Sequence, residues 1–379
     1  MLLITGCKKN ASATIDNQPT DSISYAYYNW TSFVMGSDLS LNNQLLNCGA
    51  TFKDSGIIKD PFVILKNHGN NCIRVRLWNN PSWIATYNNG HLYSDLADVE
   101  KTIKRAKDLG MSVNLDLHFS DTWADPAHQD IPNKWAGLTI STLKDSIYKF
   151  TSYVLKDLAS KNLTPEMIQI GNETNQGMLW PIGKVVNNDF TSFGQLLQSA
   201  IKAVRDFSLT SSIKPLIILH VAQFQNADYF MDGIINKAGV TDFDILGISH
   251  YTDYTTLTKM SEVGNAISSL RLKYNKKVMI VETSYPFTTQ NADKYPNITT
   301  KGFDNYSISS DGQLQYLKDL TQQVINGGGS GIMYWAADWI SSSYQDAWGT
   351  GSSWDNNTLF DFGGNALPAL DFMRNKYTF

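Results

Sequence analysis

Cys72-Ile73-Arg74-Val75-Arg76-Leu77-Trp78 and Ser112-Val113-Asn114-Leu115-Asp116-Leu117-His118-Phe119 are two largely apolar runs that each finish in polar or aromatic residues. Between them, Asp95–Leu109 opens on an acidic residue and closes at Leu109-Gly110, the start and stop signals of a helix. This strand–helix–strand unit recurs along the chain. Strands are predicted at Val34–Ser40, Cys72–Trp78, Ser112–Phe119, Met167–Glu173, Pro215–Val221, Ile245–Tyr251, Lys277–Thr283 and Gly331–Asp338. Helices are predicted at Leu143–Ser160, Phe190–Phe207 and Gly312–Asn326 as well. Continuous apolar runs suit parallel strands covered on both faces. Eight such units in one chain point to a single (β/α)8 TIM barrel of the α/β class rather than an open sheet. No Gly-x-Gly-x-x-Gly follows any strand, which argues against dinucleotide binding.

Composition narrows the function. The 379 residues carry a net charge of -4 with no Lys/Arg cluster, so no nucleic-acid partner is expected. No apolar run reaches the ~20 residues that span a bilayer. The aromatic load is heavy, with 10 Trp, 18 Tyr and 17 Phe, and it fits either a core or sugar binding, where pyranose C–H faces pack on aromatic rings. Leu3-Ile4-Thr5-Gly6-Cys7 resembles the lipobox of bacterial lipoproteins, cut before a cysteine that is then lipidated. Residues 1–24 therefore read as a truncated lipoprotein signal and flexible tether, and residues 25–379 as one catalytic domain. The protein is expected to be exported and anchored to the outer membrane through Cys7, and to be a monomer. Cys48 and Cys72 fall at opposite ends of a parallel barrel and read as free thiols.

In a barrel of this kind the C-terminal strand ends face the active site. Here they offer Arg76, His118, Asn172, Glu173, His220, Tyr251, Glu282 and Trp335. Glu173 and Glu282 end strands four and seven, on opposite sides of the pocket. Two carboxyls flanking a glycosidic bond divide the work: one, its pKa raised, protonates the leaving oxygen, and the other attacks or activates water. Asn172 would direct its amide at the sugar 2-hydroxyl. Arg76 would keep a neighbouring carboxylate ionised, and Tyr251 would orient it.

These residues carry a family resemblance. Asn-Glu after strand four and Glu after strand seven mark the clan of retaining (β/α)8 glycosidases. More narrowly, the chain resembles glycoside hydrolase family 53, the endo-β-1,4-galactanases. The matching stretches include Arg74-Val75-Arg76-Leu77-Trp78-Asn79-Asn80-Pro81, Asp121-Thr122-Trp123-Ala124-Asp125-Pro126, Gly177-Met178-Leu179-Trp180-Pro181 and Val281-Glu282-Thr283-Ser284-Tyr285-Pro286. The resemblance implies a retaining endo-hydrolase of the β-1,4-galactan side chains of pectin, acting on galactan or galacto-oligosaccharides, with Glu173 as acid/base and Glu282 as nucleophile. It places His118, Asn172, His220, Tyr251 and Trp335 in the pocket and makes Trp123 and Trp180 candidate sugar platforms. Trp335-Ala336-Ala337-Asp338-Trp339 departs from the family's usual Trp-Glu-Pro-Ala-Trp, which leaves a subsite contact open.

A structural Ca2+ is a further expectation, since some bacterial members bind it after strand seven. Asn291, Asp293, Tyr295 and Asn297 would supply oxygens at every second position, with Ser352 and Asp355 closing the cage. The chemistry itself needs no cofactor. The competing readings are another retaining β-1,4-glycanase, such as a mannanase or cellulase, and a non-catalytic glycan-binding lipoprotein. The presence of both carboxylates speaks against the latter.

Overall fold

The structure, a computed structural model, describes residues 25–379. The lipobox-like stretch and tether therefore lie outside the described residues. The eight barrel strands are β1 (Val34–Asp38), β2 (Cys72–Leu77), β3 (Ser112–Leu117), β4 (Met167–Ile170), β5 (Leu216–Ala222), β6 (Ile245–His250), β7 (Lys277–Thr283) and β8 (Gly331–Tyr334). Each pairs in parallel with its chain neighbour, and β8 closes onto β1. A two-residue hairpin (Lys53–Asp54 with Ile57–Ile58) is the only other sheet among the described residues. The expected single (β/α)8 barrel is the fold observed.

Among the described residues, eight α-helices cover the strands: α1 (Asn42–Asn47), α2 (Pro61–Asn67), α3 (Leu96–Asp108), α4 (Ile140–Ser160), α5 (Thr191–Ser208), α6 (Phe224–Asp232), α7 (Met260–Tyr274) and α8 (Ser310–Asn326). Their starts follow from side-chain caps. Asp95, Thr139 and Ser309 accept from the backbone N–H three residues on, satisfying a donor the first turn leaves free. The Thr139 cap explains why α4 begins three residues before the apolar pattern suggests.

The barrel interior is stratified. Val34, Cys72, Met167, Ile218, Ile245, Met279, Val281 and Met333 form an apolar floor. A second, larger core fills the space between strands and helices, with Val75, Val113, Ile168, Leu219 and Ile280 pointing outward. Gly247 faces the floor, where a Cβ would come within 2.8 Å of Ile218 and 3.0 Å of Val281. Cys48 and Cys72 are free, as expected from their separation. Six of the eight strands stop short of the predicted ends, where the chain turns outward at the rim, while β7 ends as predicted and β5 runs one residue further. Phe119, Glu173, Gln223 and Ala336 all take left-handed φ between 47° and 65°, and Gly171 does so at 76°.

One buried group of this shell faces away from the cleft. His250 ends β6 on the helix side, with its ring between Phe224 and Phe303, and neither ring nitrogen has a hydrogen-bond partner. Burial pushes its pKa down to about 4 from 6.5. The unfolded chain therefore takes a proton that the folded chain refuses, so stability is full above pH 6.5 and is lost as the pH falls towards 4. The full loss is roughly 3 kcal/mol. His250→Leu is expected to melt higher than the wild type, with the gap in Tm widening from pH 7 to pH 5. A gap independent of pH would contradict this origin.

Candidate active site

Arg74 organises the floor of the cleft. It points inward from β2, is 1% exposed, and its guanidinium reaches three carboxylates on three other strands: Asp38 at 2.8 Å, Asp116 at 2.7 Å and Glu282 at 2.8 Å. It also donates to Asn172 Oδ1 at 2.8 Å. Gln169 fills the centre and donates through Nε2 to Asp116 Oδ1 at 2.8 Å. The expectation that Arg76 keeps the carboxylate ionised is corrected: Arg74 does so. Arg76 lies one step up the same face of β2, with its guanidinium 4.3 Å from the Trp78 ring centre and 4.0 Å from that of Trp123. Its Nε and one terminal nitrogen donate to Ser94 Oγ at 3.3 Å and 3.2 Å.

A β-bulge aims Glu282 inward. Met279 and Val281 both face the floor, so strict alternation would turn Glu282 towards the helices. The pairing of β6 with β7 shifts between Ile248 and Ser249, so that Ser249 stands opposite Glu282. The irregularity resets the alternation, a use of bulges common beside active sites. Glu282 then receives Arg74 on Oε1 and the Tyr251 hydroxyl on Oε2 at 2.8 Å. Burial raises its pKa, while Arg74 and Tyr251 pull it back down. Tyr251 thus occupies the orienting position expected of it.

Glu173 has a different environment. It stands two residues after the left-handed Gly171, itself at φ 47°, a conformation that non-glycine residues hold only where the surroundings fix it. No cation pairs with it among the described residues. Burial, and then the charge of Glu282, push its pKa up to about 8. Both carboxyls in this pocket are raised, but only Glu282 has a cation and a hydroxyl that counter the rise.

Two buried histidines hold the frame. His118 Nδ1 accepts from Trp78 Nε1–H at 3.1 Å and from the Ala124 N–H at 3.2 Å. That places its proton on Nε2, 3.0 Å from Asp116 Oδ2. His220 Nδ1 accepts from the Glu173 N–H at 3.2 Å, which leaves Nε2–H to donate to Ser249 Oγ at 2.8 Å. Burial lowers both pKa values, so both rings are neutral. Their nitrogens are engaged within the protein, so they position other groups rather than offering a direct contact. Asn172 Nδ2 donates to the Ala124 carbonyl at 2.7 Å, which fixes the amide plane.

The cleft wall is aromatic. Trp123 and Trp335, both half-buried, face each other with ring centres 6.1 Å apart. From this pair a row of edge contacts runs through Trp78 and Trp83 to the exposed Trp348 in one direction, and through Trp354 to Tyr251 in the other. Trp180 stands apart on the loop after β4, half-buried, with Lys184 Nζ 4.2 Å from its ring centre. The sequence reading missed Arg74, Ser249, Gln169, Trp83 and Trp348. Ser249 sits beside His250 at a strand end and carried a signal; Trp348, in a long loop, carried none.

The residues expected to form a calcium loop come together, but as a hydrogen-bonded cluster. Among the described residues, no group of three or more His, Cys, Asp or Glu side chains is placed to hold a metal. All four carboxylate oxygens at the site accept from N–H groups instead. Asp293 takes Tyr295 N–H at 2.6 Å and Ser352 N–H at 2.8 Å. Asp355 takes Ala292 N–H at 2.8 Å and Asn297 Nδ2 at 2.9 Å. The Tyr295 carbonyl accepts from Asn291 Nδ2 at 2.8 Å. Asn297 Oδ1 is buried with no donor among the described residues, the one expected ligand side-chain oxygen of the loop after β7 that the protein leaves unpaired.

Comparison with known proteins agrees with this geometry. The family model of glycosyl hydrolase family 53 matches residues 34–373. The chain is 39% identical over 354 residues to the arabinogalactan endo-beta-1,4-galactanase of Cellvibrio japonicus, covering 92% of each chain. It is 34% identical to the endo-beta-1,4-galactanase of Bacillus subtilis, over 89% of this chain and 84% of that one. Among solved structures, the glycoside hydrolase family 53 catalytic domain of Ignisphaera aggregans superposes with a TM-score of 0.82 at 36% identity, over 92% of this chain and 97% of that one. The chain belongs to glycosyl hydrolase family 53.

The Tyr251–Glu282 contact sets a measurable quantity. Removing a hydrogen bond to a carboxylate raises its pKa by about one unit. Tyr251→Phe is expected to move the acid limb of the kcat/KM profile about one unit towards higher pH and to leave the alkaline limb nearly in place. An unmoved acid limb would show that Tyr251 does not hold Glu282 ionised.

Proposed function

We propose that the protein is a retaining endo-β-1,4-galactanase in which Glu282 is the nucleophile and Glu173 the acid/base. The supporting observation is the split between the two carboxyls: Glu282 lies 2.8 Å from both Arg74 and Tyr251, whereas Glu173 is buried without a cation and its pKa is raised to about 8. At neutral pH Glu173 carries the proton that a leaving glycosidic oxygen needs, and Glu282 carries the lone pair that attacks the anomeric carbon. In the first step the C–O bond to the aglycone breaks, the Glu173 proton passes to the leaving oxygen, and a glycosyl ester forms on Glu282. In the second, Glu173 takes a proton from water as that water attacks the anomeric carbon, and the ester breaks with retention. Asn172, its amide plane fixed by Arg74 and Ala124, faces the sugar 2-hydroxyl in this reading, and Trp123, Trp180 and Trp335 offer ring faces to the chain of galactosyl residues.

The galactan specificity rests on the named relatives, and the outward-reaching aromatic row suits an endo-acting cleft. Glu282→Gln is expected to abolish turnover of linear β-1,4-galactan, a loss of at least ~10³ in kcat. Glu173→Gln is expected to lose about 10²–10⁴ on the polysaccharide. With an aryl galactoside whose phenol leaves without protonation, the Glu173→Gln loss should shrink to a small factor, while the Glu282→Gln loss should persist. Equal losses of both variants on both substrates would overturn the assignment of roles, and cleavage of mannan or cellulose in preference to galactan would overturn the substrate.

We further propose that Cys7 carries a lipid anchor and that the following Asn/Ser/Thr-rich stretch tethers the barrel to the outer membrane. The lipobox-like Leu3-Ile4-Thr5-Gly6-Cys7 supports this reading. In cells, Cys7→Ser should move the activity from the membrane fraction to the soluble fraction; unchanged membrane association would count against it.

A further inference from the structure

Outside the cleft, a cavity of about 400 Å³ opens between α4 and the loops that follow β2 and β3. That lies within the roughly 300–1,000 Å³ of ligand sites. Its wall combines three aromatic rings, Trp135, Phe150 and Tyr153, with two lysines, Lys134 and Lys149. Tyr153 is 61% exposed, and nothing in the fold explains a bare ring there. Among the described residues neither lysine takes part in an ion pair or side-chain hydrogen bond, whereas Lys161 at the end of the same helix is held by Glu100 and Asp157.

The inner wall adds a second observation. Asn79 Oδ1 and Asp121 Oδ1 are both buried with no donor, although most such atoms in folded proteins are satisfied. Asp121 Oδ2 accepts from the Asn133 N–H at 2.9 Å, which fixes that carboxylate towards the protein side. The cavity is separated from the cleft by a single layer. Trp83, in the aromatic row, donates through Nε1 to the Asp121 carbonyl at 2.9 Å, and the Asn79 N–H donates to the Ser120 carbonyl at 2.8 Å.

We propose that this cavity is an accessory glycan site for a carboxylate-bearing pyranose. Aromatic faces accept the C–H side of a sugar ring, and two unpaired ammonium groups at the mouth select a uronate over a neutral hexose. This deepens the galactanase reading and rests on it for its biological sense: neutral galactan hangs from a pectic backbone rich in uronate. A polymer bound here by its backbone would present its neutral side chain to the neighbouring cleft.

Direct binding tests the site independently of catalysis. Trigalacturonate should bind the intact protein, with an affinity that falls about fivefold in Lys134→Ala/Lys149→Ala, the size expected of two exposed charge contacts, and that falls similarly in 0.5 M salt. Tyr153→Ala should weaken it as well, and neutral galactotriose should not compete at this cavity. In kinetics, the double lysine variant should raise KM about fivefold on galactan still attached to its uronate backbone, with kcat and the KM on linear galacto-oligosaccharides unchanged. No trigalacturonate binding by the wild type, or an equal effect on attached and free galactan, overturns the proposal. Binding of trigalacturonate by a protein that cleaves no galactan would instead overturn the reading of the cleft and leave this site standing.

Discussion

Arg74 is the constraint on which the rest of the site depends. A guanidinium sealed at 1% exposure is tolerable only with close partners, because removing a charge from water costs several kcal/mol. Its partners come from β1, β3 and β7, and it reaches Asn172 beyond β4 as well. One side chain thus sets the mutual position of five parts of the barrel. Burial is the main reason that the pKa of Glu282 is raised despite its ion pair, and the two other carboxylates on Arg74, Asp116 and Asp38, add to it. At Glu173 burial, and then the charge of Glu282, resist a further anion. The proton on Glu173 thus follows from burial beside a second carboxyl.

The neutral histidines follow from the same constraint. A positive charge on His220 would face Arg74, and burial together with that cation drives its pKa down. A neutral ring can accept from the Glu173 N–H and donate to Ser249. This fixes the left-handed turn that carries Glu173 and orients a hydroxyl 3.4 Å from Glu282 Oε2. The two catalytic candidates are thus connected through His220 and Ser249 by hydrogen bonds whose polarity depends on the imidazole staying uncharged.

The fold and both glutamates were legible in the sequence because each rests on local pattern: apolar runs of strand length, helix punctuation, and polar residues immediately behind a buried run. The arginine was misassigned for a physical reason. Arg74 and Arg76 share one face of β2, and which of them lies level with Glu282 depends on the stagger of a closed barrel and on the bulge between β6 and β7. Neither leaves a mark on spacing within one strand. The histidines were placed correctly at strand ends, but a sequence does not show that both ring nitrogens are already engaged. Trp348 lies in a loop and Trp83 in a short 3-10 helix, Ser82–Thr86, where position in space has no periodicity to betray it.

The loop after β7 carries the same argument to the rim. Its oxygen-bearing side chains are tied together by side-chain amides, Asn291 donating to the Tyr295 carbonyl and Asn297 to Asp355. A neutral amide can crosslink two oxygens without neutralising charge, so only Asp293 and Asp355 are needed, each satisfied by N–H groups of the loops themselves. Ser352, fixed to Asp293 through its backbone, donates its hydroxyl to the Trp339 carbonyl, and Trp339 packs edge-on against Trp335 at 6.2 Å. The cleft's aromatic wall is therefore anchored through hydrogen bonds that run back to the loop after β7.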